Sequence, residues 1–217
     1  MGGLGAFLKG LLRRERIASP DDVQRFMAQR AAFIAQKCVI EYCRARAGIN
    51  WQRLFSEEPF QRAVHAAAWR AWALTLCDVT QMLHALLRPH VPSEEEQALL
   101  DALEHLAMRV IAGETARQPL PAQLPASFVQ DTKERLRALL RELRGSTPLP
   151  VKDIPRARAK ELFDIIPIHA DLKAPDEDYV FNTLRVYLVR AADDLRAAAD
   201  MPALARALSE NAPRGKD

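Results

Sequence analysis

Residues 31–55 read AAFIAQKCVIEYCRARAGINWQRLF, and residues 63–87 read AVHAAAWRAWALTLCDVTQMLHALL. Both stretches are rich in alanine, punctuated by aromatic residues and free of proline, the composition of long helices rather than strands. Between them, Gly48 and Asn50 supply the chemistry of a helix stop and a new start. The segment Ser56-Glu57-Glu58-Pro59 then opens the second helix, with acids and a proline in its first turn. The two helices pair as a hairpin, and the hairpin predicts an all-α protein, a single helical bundle of about six helices built around it.

The same start and stop signals divide the rest of the chain. Ser19-Pro20-Asp21-Asp22 opens the first hairpin helix with a cap, a proline at the first helical position and two acids. That helix is expected to reach Ala47, and its partner to end near Arg88, before Pro89. Pro92-Ser93-Glu94-Glu95-Glu96 opens a third helix, with Glu96 placed for a capping box. It carries Leu99, Leu100, Leu103, Leu106, Val110 and Ile111 and is expected to stop at Gly113, leaving residues 114–126 as a proline-rich loop. A fourth helix follows Ser127 and is closed by Gly145, and a shorter one spans Arg156 to Ile165. The last long helix follows Ala174-Pro175-Asp176 and turns Val180, Leu184, Tyr187, Leu188, Ala191 and Leu195 inward. A short Leu204–Leu208 turn docks after Pro202. The resulting organisation is an N-terminal helix over residues 1–16, a bundle domain over 17–210 and a polar tail over 211–217.

The N-terminal stretch is amphipathic. Leu4, Phe7, Leu8 and Leu11 fall on one side at about 100° per residue, with Lys9 and Arg13 opposite. Residues 1–16 hold Lys9, Arg13, Arg14 and Arg16 against Glu15 alone, which accounts for the whole formal net charge of +3. The body of the chain is neutral, so a nucleic-acid partner is not expected. No apolar run reaches the roughly 18 residues of a transmembrane helix, and no signal-peptide cleavage site is visible. Cys38, Cys43 and Cys77 are odd in number and read as buried free thiols of a reducing cytoplasm rather than a disulfide framework.

Candidate functional side chains are few. Projected at about 100° per residue, Lys37 and Glu41 continue the face begun by Val23, Phe26, Met27 and Ile34. They read either as a polar pair lining a pocket inside the bundle or as a solvated surface pair. His65 lies one turn before Trp69 on the side that carries Trp72, Leu76, Leu83 and Leu87, where it could border a ligand pocket or simply sit at the core edge. Asp78 and His84 project away from that side and are expected to be exposed. Glu104 and His105 are adjacent rather than in the i, i+3 spacing of a bundle metal site, and His169-x-Asp171 is an isolated fragment, so no metal or cofactor is expected. Ser19, Ser56, Ser93 and Ser127 stand at helix starts, and none lies in a Gly-x-Ser-x-Gly elbow. The stripe Arg137, Arg141 and Arg144 is diluted by Asp131, Glu134 and Glu142 and reads as a solvated helix face.

Three stretches together, MGGLGAFLKGLLRR (1–14), FIAQKCVIEYCRARAGINWQRLF (33–55) and PIHADL (167–172) followed by LRVYLVRAADDL (184–195), resemble an uncharacterised group of short all-helical bacterial proteins, some of which carry the label esterase. The resemblance implies an all-helical bacterial chain. It brings no catalytic residue to any position here, and no hydrolase nucleophile stands in this sequence to receive that activity.

The sequence therefore predicts a helical interaction or adaptor protein of the bacterial cytoplasm, with a protein partner or self-association. Leu4, Phe7, Leu8, Leu11, Lys9, Arg13 and Arg14 would contact a partner or the anionic inner face of the membrane. The alternative is a small-molecule-binding protein or enzyme with a pocket near Lys37, Glu41, His65 and Trp69.

Overall fold

The computed structural model describes residues 16–212, so the stretch Leu4–Leu11 with Lys9, Arg13 and Arg14 lies outside the described residues. Within them the chain is all-α, with no strand. In chain order the helices are α1 (Pro20–Gln36), α2 (Tyr42–Ala47), α3 (Trp51–Ser56), α4 (Glu58–Leu87), α5 (Glu96–Arg117), α6 (Phe128–Leu143), α7 (Arg156–Asp164), α8 (Ala170–Lys173), α9 (Glu177–Ala198) and α10 (Met201–Glu210). The expected N-terminal signal holds at α1, where the Ser19 hydroxyl and the Asp22 carboxylate form a reciprocal capping box.

The hairpin is the centre of the molecule. A π-helical turn, Lys37–Glu41, joins α1 to α2 without a break, and Gly48, at φ 54°, ends the run. That left-handed φ is what glycine adopts without a side-chain clash. Helix α4 returns alongside α1, and the buried Thr75 hydroxyl donates across the pair to the Ala31 carbonyl at 2.9 Å. The remaining helices wrap α4, which packs against α1, α3, α5, α6, α7, α9 and α10. Every residue from Ala71 to His84 is buried.

That enclosure overturns the expected exposure of Asp78 and His84. Asp78 is 2% exposed and His84 1%. An amphipathic reading assigns a polar side to a helix with one solvated face. Helix α4 has none over these turns, so its polar residues are buried, Thr75, Asp78 and Gln81 with hydrogen-bond partners and His84 with neither ring nitrogen bonded. Arg158 of α7 donates to Asp78 Oδ1 at 2.5 Å and to Gln81 Oε1 at 2.5 Å. Glu96, expected in a capping box, instead forms an ion pair with Arg88 Nε at 3.2 Å, accepts from the Gly145 backbone N–H at 3.2 Å, and lies 3.7 Å from His84. Burial lowers the His84 pKa, Glu96 pulling it the other way.

Two other differences from the sequence reading have local causes. Helix α5 passes through Gly113 and ends at Arg117, because an interior glycine costs only about 1 kcal/mol and the apolar face before it is fully docked. The loop accordingly begins at Gln118. The connector before α9 contains a buried lysine: Lys173 Nζ donates to the carbonyls of Phe163, Asp164 and Ile166 at 2.8–3.0 Å. A cation there satisfies the open carbonyls at the end of α7.

All three cysteines are free and buried. Burial pushes the Cys43 thiol up to about 12 and Cys77 to about 11, and raises Cys38 as well. Thiols held this far from their thiolate form are packing residues rather than nucleophiles.

Candidate functional site

The side chains of one stripe of α4 meet the far ends of α1 and α5 around a groove. His65, Ala68, Trp69 and Trp72 come from α4, Ala32, Ala35 and Gln36 from α1, Ile40 from the π turn, Glu114 from α5, and Gln118 from just past it. The spacing 65, 68, 69, 72 places the α4 residues on one face at helical period. The groove encloses about 230 Å³ and is open along one side.

Its floor is aromatic. The Trp69 and Trp72 rings meet edge to face, centroids 5.4 Å apart, and Trp69 also meets Phe128 at 6.3 Å. The three alanines keep the walls low. Trp69 Nε1 donates to His65 Nε2 at 3.3 Å. Trp72 Nε1 is buried without an acceptor.

Of the four residues the sequence brings together as a pocket, His65 and Trp69 line this groove, and Lys37 and Glu41 do not. The reason is the π turn. Its wider ring delays the buried face by one residue, so Cys38, Val39, Tyr42 and Cys43 face the core where a continuous α-helix would present Lys37 and Glu41. Lys37 Nζ instead lies 5.5 Å from the Phe33 ring centroid, and Glu41 is 3.6 Å from Arg44. Gln36, Ile40, Glu114 and Gln118 were missed as lining residues. Glu114 was legible only by carrying the α5 period through Gly113.

The other expected features resolve as structure. Arg137 pairs with Glu104 at 2.9 Å. His169 and Asp171 are both exposed, and among the described residues no group of three or more metal-ligating side chains gathers. A second cleft of about 280 Å³, between α1 and the end of α9, has ion-paired walls in Arg30–Asp194 and Arg25–Asp22. The aromatic groove differs from that cleft in its apolar indole floor. Comparison of the chain with protein-family models, curated proteins and solved structures finds no match to any of the three.

Proposed function

We propose that this protein is a helical interaction module that receives an apolar segment of a partner protein in the Trp69–Trp72 groove. One observation carries the reading: an indole floor between alanine walls, open along its length and rimmed by Gln36, His65, Glu114 and Gln118. Buried aromatic anchors with a polar rim are the composition of a binding hot spot. The volume is below the roughly 300–1,000 Å³ of a pocket that engulfs a small molecule. It suits one or two side chains of a partner helix. The free, buried thiols fit a reducing compartment, and we place the protein in the cytoplasm.

Photo-crosslinking tests this. With benzoylphenylalanine at the exposed rim position Gln118, in cells of the source organism, a discrete protein adduct is expected, and Ala32→Trp, at an exposed wall position, should fill the groove and abolish it. No protein adduct, or an adduct indifferent to Ala32→Trp, would defeat the proposal, and an adduct to a metabolite would favour a small-ligand site.

We further propose that residues 4–16 add contact with an anionic membrane surface, a reading supported by their sequence alone. Among the described residues no helix is long and apolar enough to cross a membrane. Each basic residue near such a surface contributes about 1 kcal/mol. Full-length protein should co-sediment with phosphatidylglycerol vesicles at low salt, and the variant carrying Arg13→Glu and Arg14→Glu should stay in the supernatant. Equal behaviour of the two would remove the membrane from the proposal.

A further inference from the structure

The aromatic groove and the cleft beside α9 are the two ends of one open face of α1. Arg25 and Gln29 line the cleft, and Ala32 and Gln36 line the groove. These positions follow one another at helical spacing, so they stand in a row on a single face. All four are exposed. Between Arg25 and Lys37 the face carries Ala28, Gln29, Ala32 and Gln36 and no charge, and Arg30 turns off it to Asp194. Phe33, 40% exposed, runs along one edge.

The described chain enters at the cleft end of this face. Arg16 and Ile17 line the cleft, and the Ile17 backbone N–H donates to the Ala198 carbonyl at 3.0 Å, which fixes where residues 1–15 join the bundle. From that anchor, Pro20 to Gln36 rises about 24 Å along α1. Residues 12–15 extended span about 14 Å, and residues 4–11 at helical rise add about 12 Å, so the two together match that length. The composition of the stretch matches as well. Leu4, Phe7, Leu8 and Leu11 make one apolar face, with Lys9 and Arg13 opposite. A helix this short gains its stability by burying such a face. The uncharged row on α1 and the Trp69–Trp72 floor can cover it without stranding a charge, and the basic side is left in solvent.

We propose that residues 4–11 of this chain occupy the Trp69–Trp72 groove in cis and hold it closed. This rests on the reading of the groove as a receptor for a partner's apolar segment, and it names what regulates that receptor. A short tether presents the segment at an effective concentration on the order of 1 mM, so a partner must displace it rather than enter an empty groove. The same four apolar side chains are the ones that would enter an anionic membrane surface, and they cannot be in both places. A membrane that draws the stretch away therefore opens the groove to the partner.

Photolysis of the purified full-length protein, with benzoylphenylalanine in place of Gln118, tests this. The expected product has the monomer mass of 24.4 kDa and joins position 118 to residues 4–11, as mapped by mass spectrometry of the digested chain. Its yield should not vary with protein concentration. Phe7→Asp together with Leu8→Asp should abolish it, since charge is not accepted on an apolar floor. Phosphatidylglycerol vesicles that sediment the protein should lower the yield, and phosphatidylcholine vesicles should leave it unchanged. No adduct to residues 4–11, an adduct indifferent to the paired substitutions, or a yield unmoved by vesicles that sediment the protein would each overturn the proposal. So would an adduct at twice the monomer mass, which would put a second copy's stretch in the groove. The groove reading fails or stands separately. A partner adduct in cells, with no internal adduct in the purified protein, removes the latch and keeps the receptor. An internal adduct, with no partner adduct in cells even for the variant carrying Phe7→Asp and Leu8→Asp, removes the partner and keeps the internal contact.

Discussion

Leu76→Ala should lower the unfolding free energy by roughly 2–5 kcal/mol, enough to consume much of the stability of a chain this size. Leu76 is 1% exposed and sits midway along the run of α4 that is buried on every side. Truncation there loses the transfer free energy of the removed carbons. It also leaves a cavity, because no solvated flank can relax into the space. The neighbouring Thr75–Ala31 bond holds α1 and α4 at fixed spacing, which limits collapse further. Leu149→Ala, at a position half open to solvent, is the matching control and should change stability by less than about 0.5 kcal/mol. Urea unfolding of both variants, followed by circular dichroism, gives the comparison. Equal midpoints for the two would mean that α4 is not the centre of the core.

The helix boundaries were legible wherever local chemistry decides them. Ser19-Pro20-Asp21-Asp22 caps α1, Gly48 and Gly145 stop their helices at positive φ, and Pro89 and Pro202 fall beside helix ends. Periodicity also found the inner faces of α5 and α9. What it could not find depends on what surrounds a helix. Asp78 and His84 look solvated on a helical projection, and only the wrapping of α4 by seven other helices buries them. The π turn is equally silent in sequence. It displaced the expected pocket by one residue, keeping His65 and Trp69 and dropping Lys37 and Glu41. Ile40 comes to the groove from this turn, and Glu114 and Gln118 from the continuation of α5 past Gly113, both settled by tertiary packing rather than by local propensity.

Arg158→Met should cost about 3–5 kcal/mol at pH 8, since it strips a buried carboxylate of its counter-charge. Asp78 accepts from Arg158 through Oδ1 only, and its Oδ2 is already buried without a partner. Burial pushes the Asp78 pKa up to about 6, from 3.8 for a free carboxyl, and Arg158 pulls against it without prevailing. The sign of the pH dependence follows. The folded state holds this proton more tightly than the unfolded state, so the contribution of Asp78 to stability is complete below about pH 4 and is lost as pH rises to about 6. Wild type should therefore lose ground against Asp78→Asn, which cannot titrate, by about 1.4 kcal/mol per pH unit across that window, and by no more above it. Removing Arg158 takes away the one cation that lowers the Asp78 pKa, so in Arg158→Met the window extends upward. The variant should then be far closer to wild type at pH 5, where Asp78 is protonated, than at pH 8. Adding Asp78→Asn to Arg158→Met should recover part of the loss at pH 8, because an amide needs no counter-charge. Chemical denaturation of the four proteins at pH 4, 5, 6 and 8 measures all of this. A loss in Arg158→Met that is the same at pH 5 and pH 8 would show that Asp78 does not take up a proton in the folded core, and that α7 is held to α4 by packing alone.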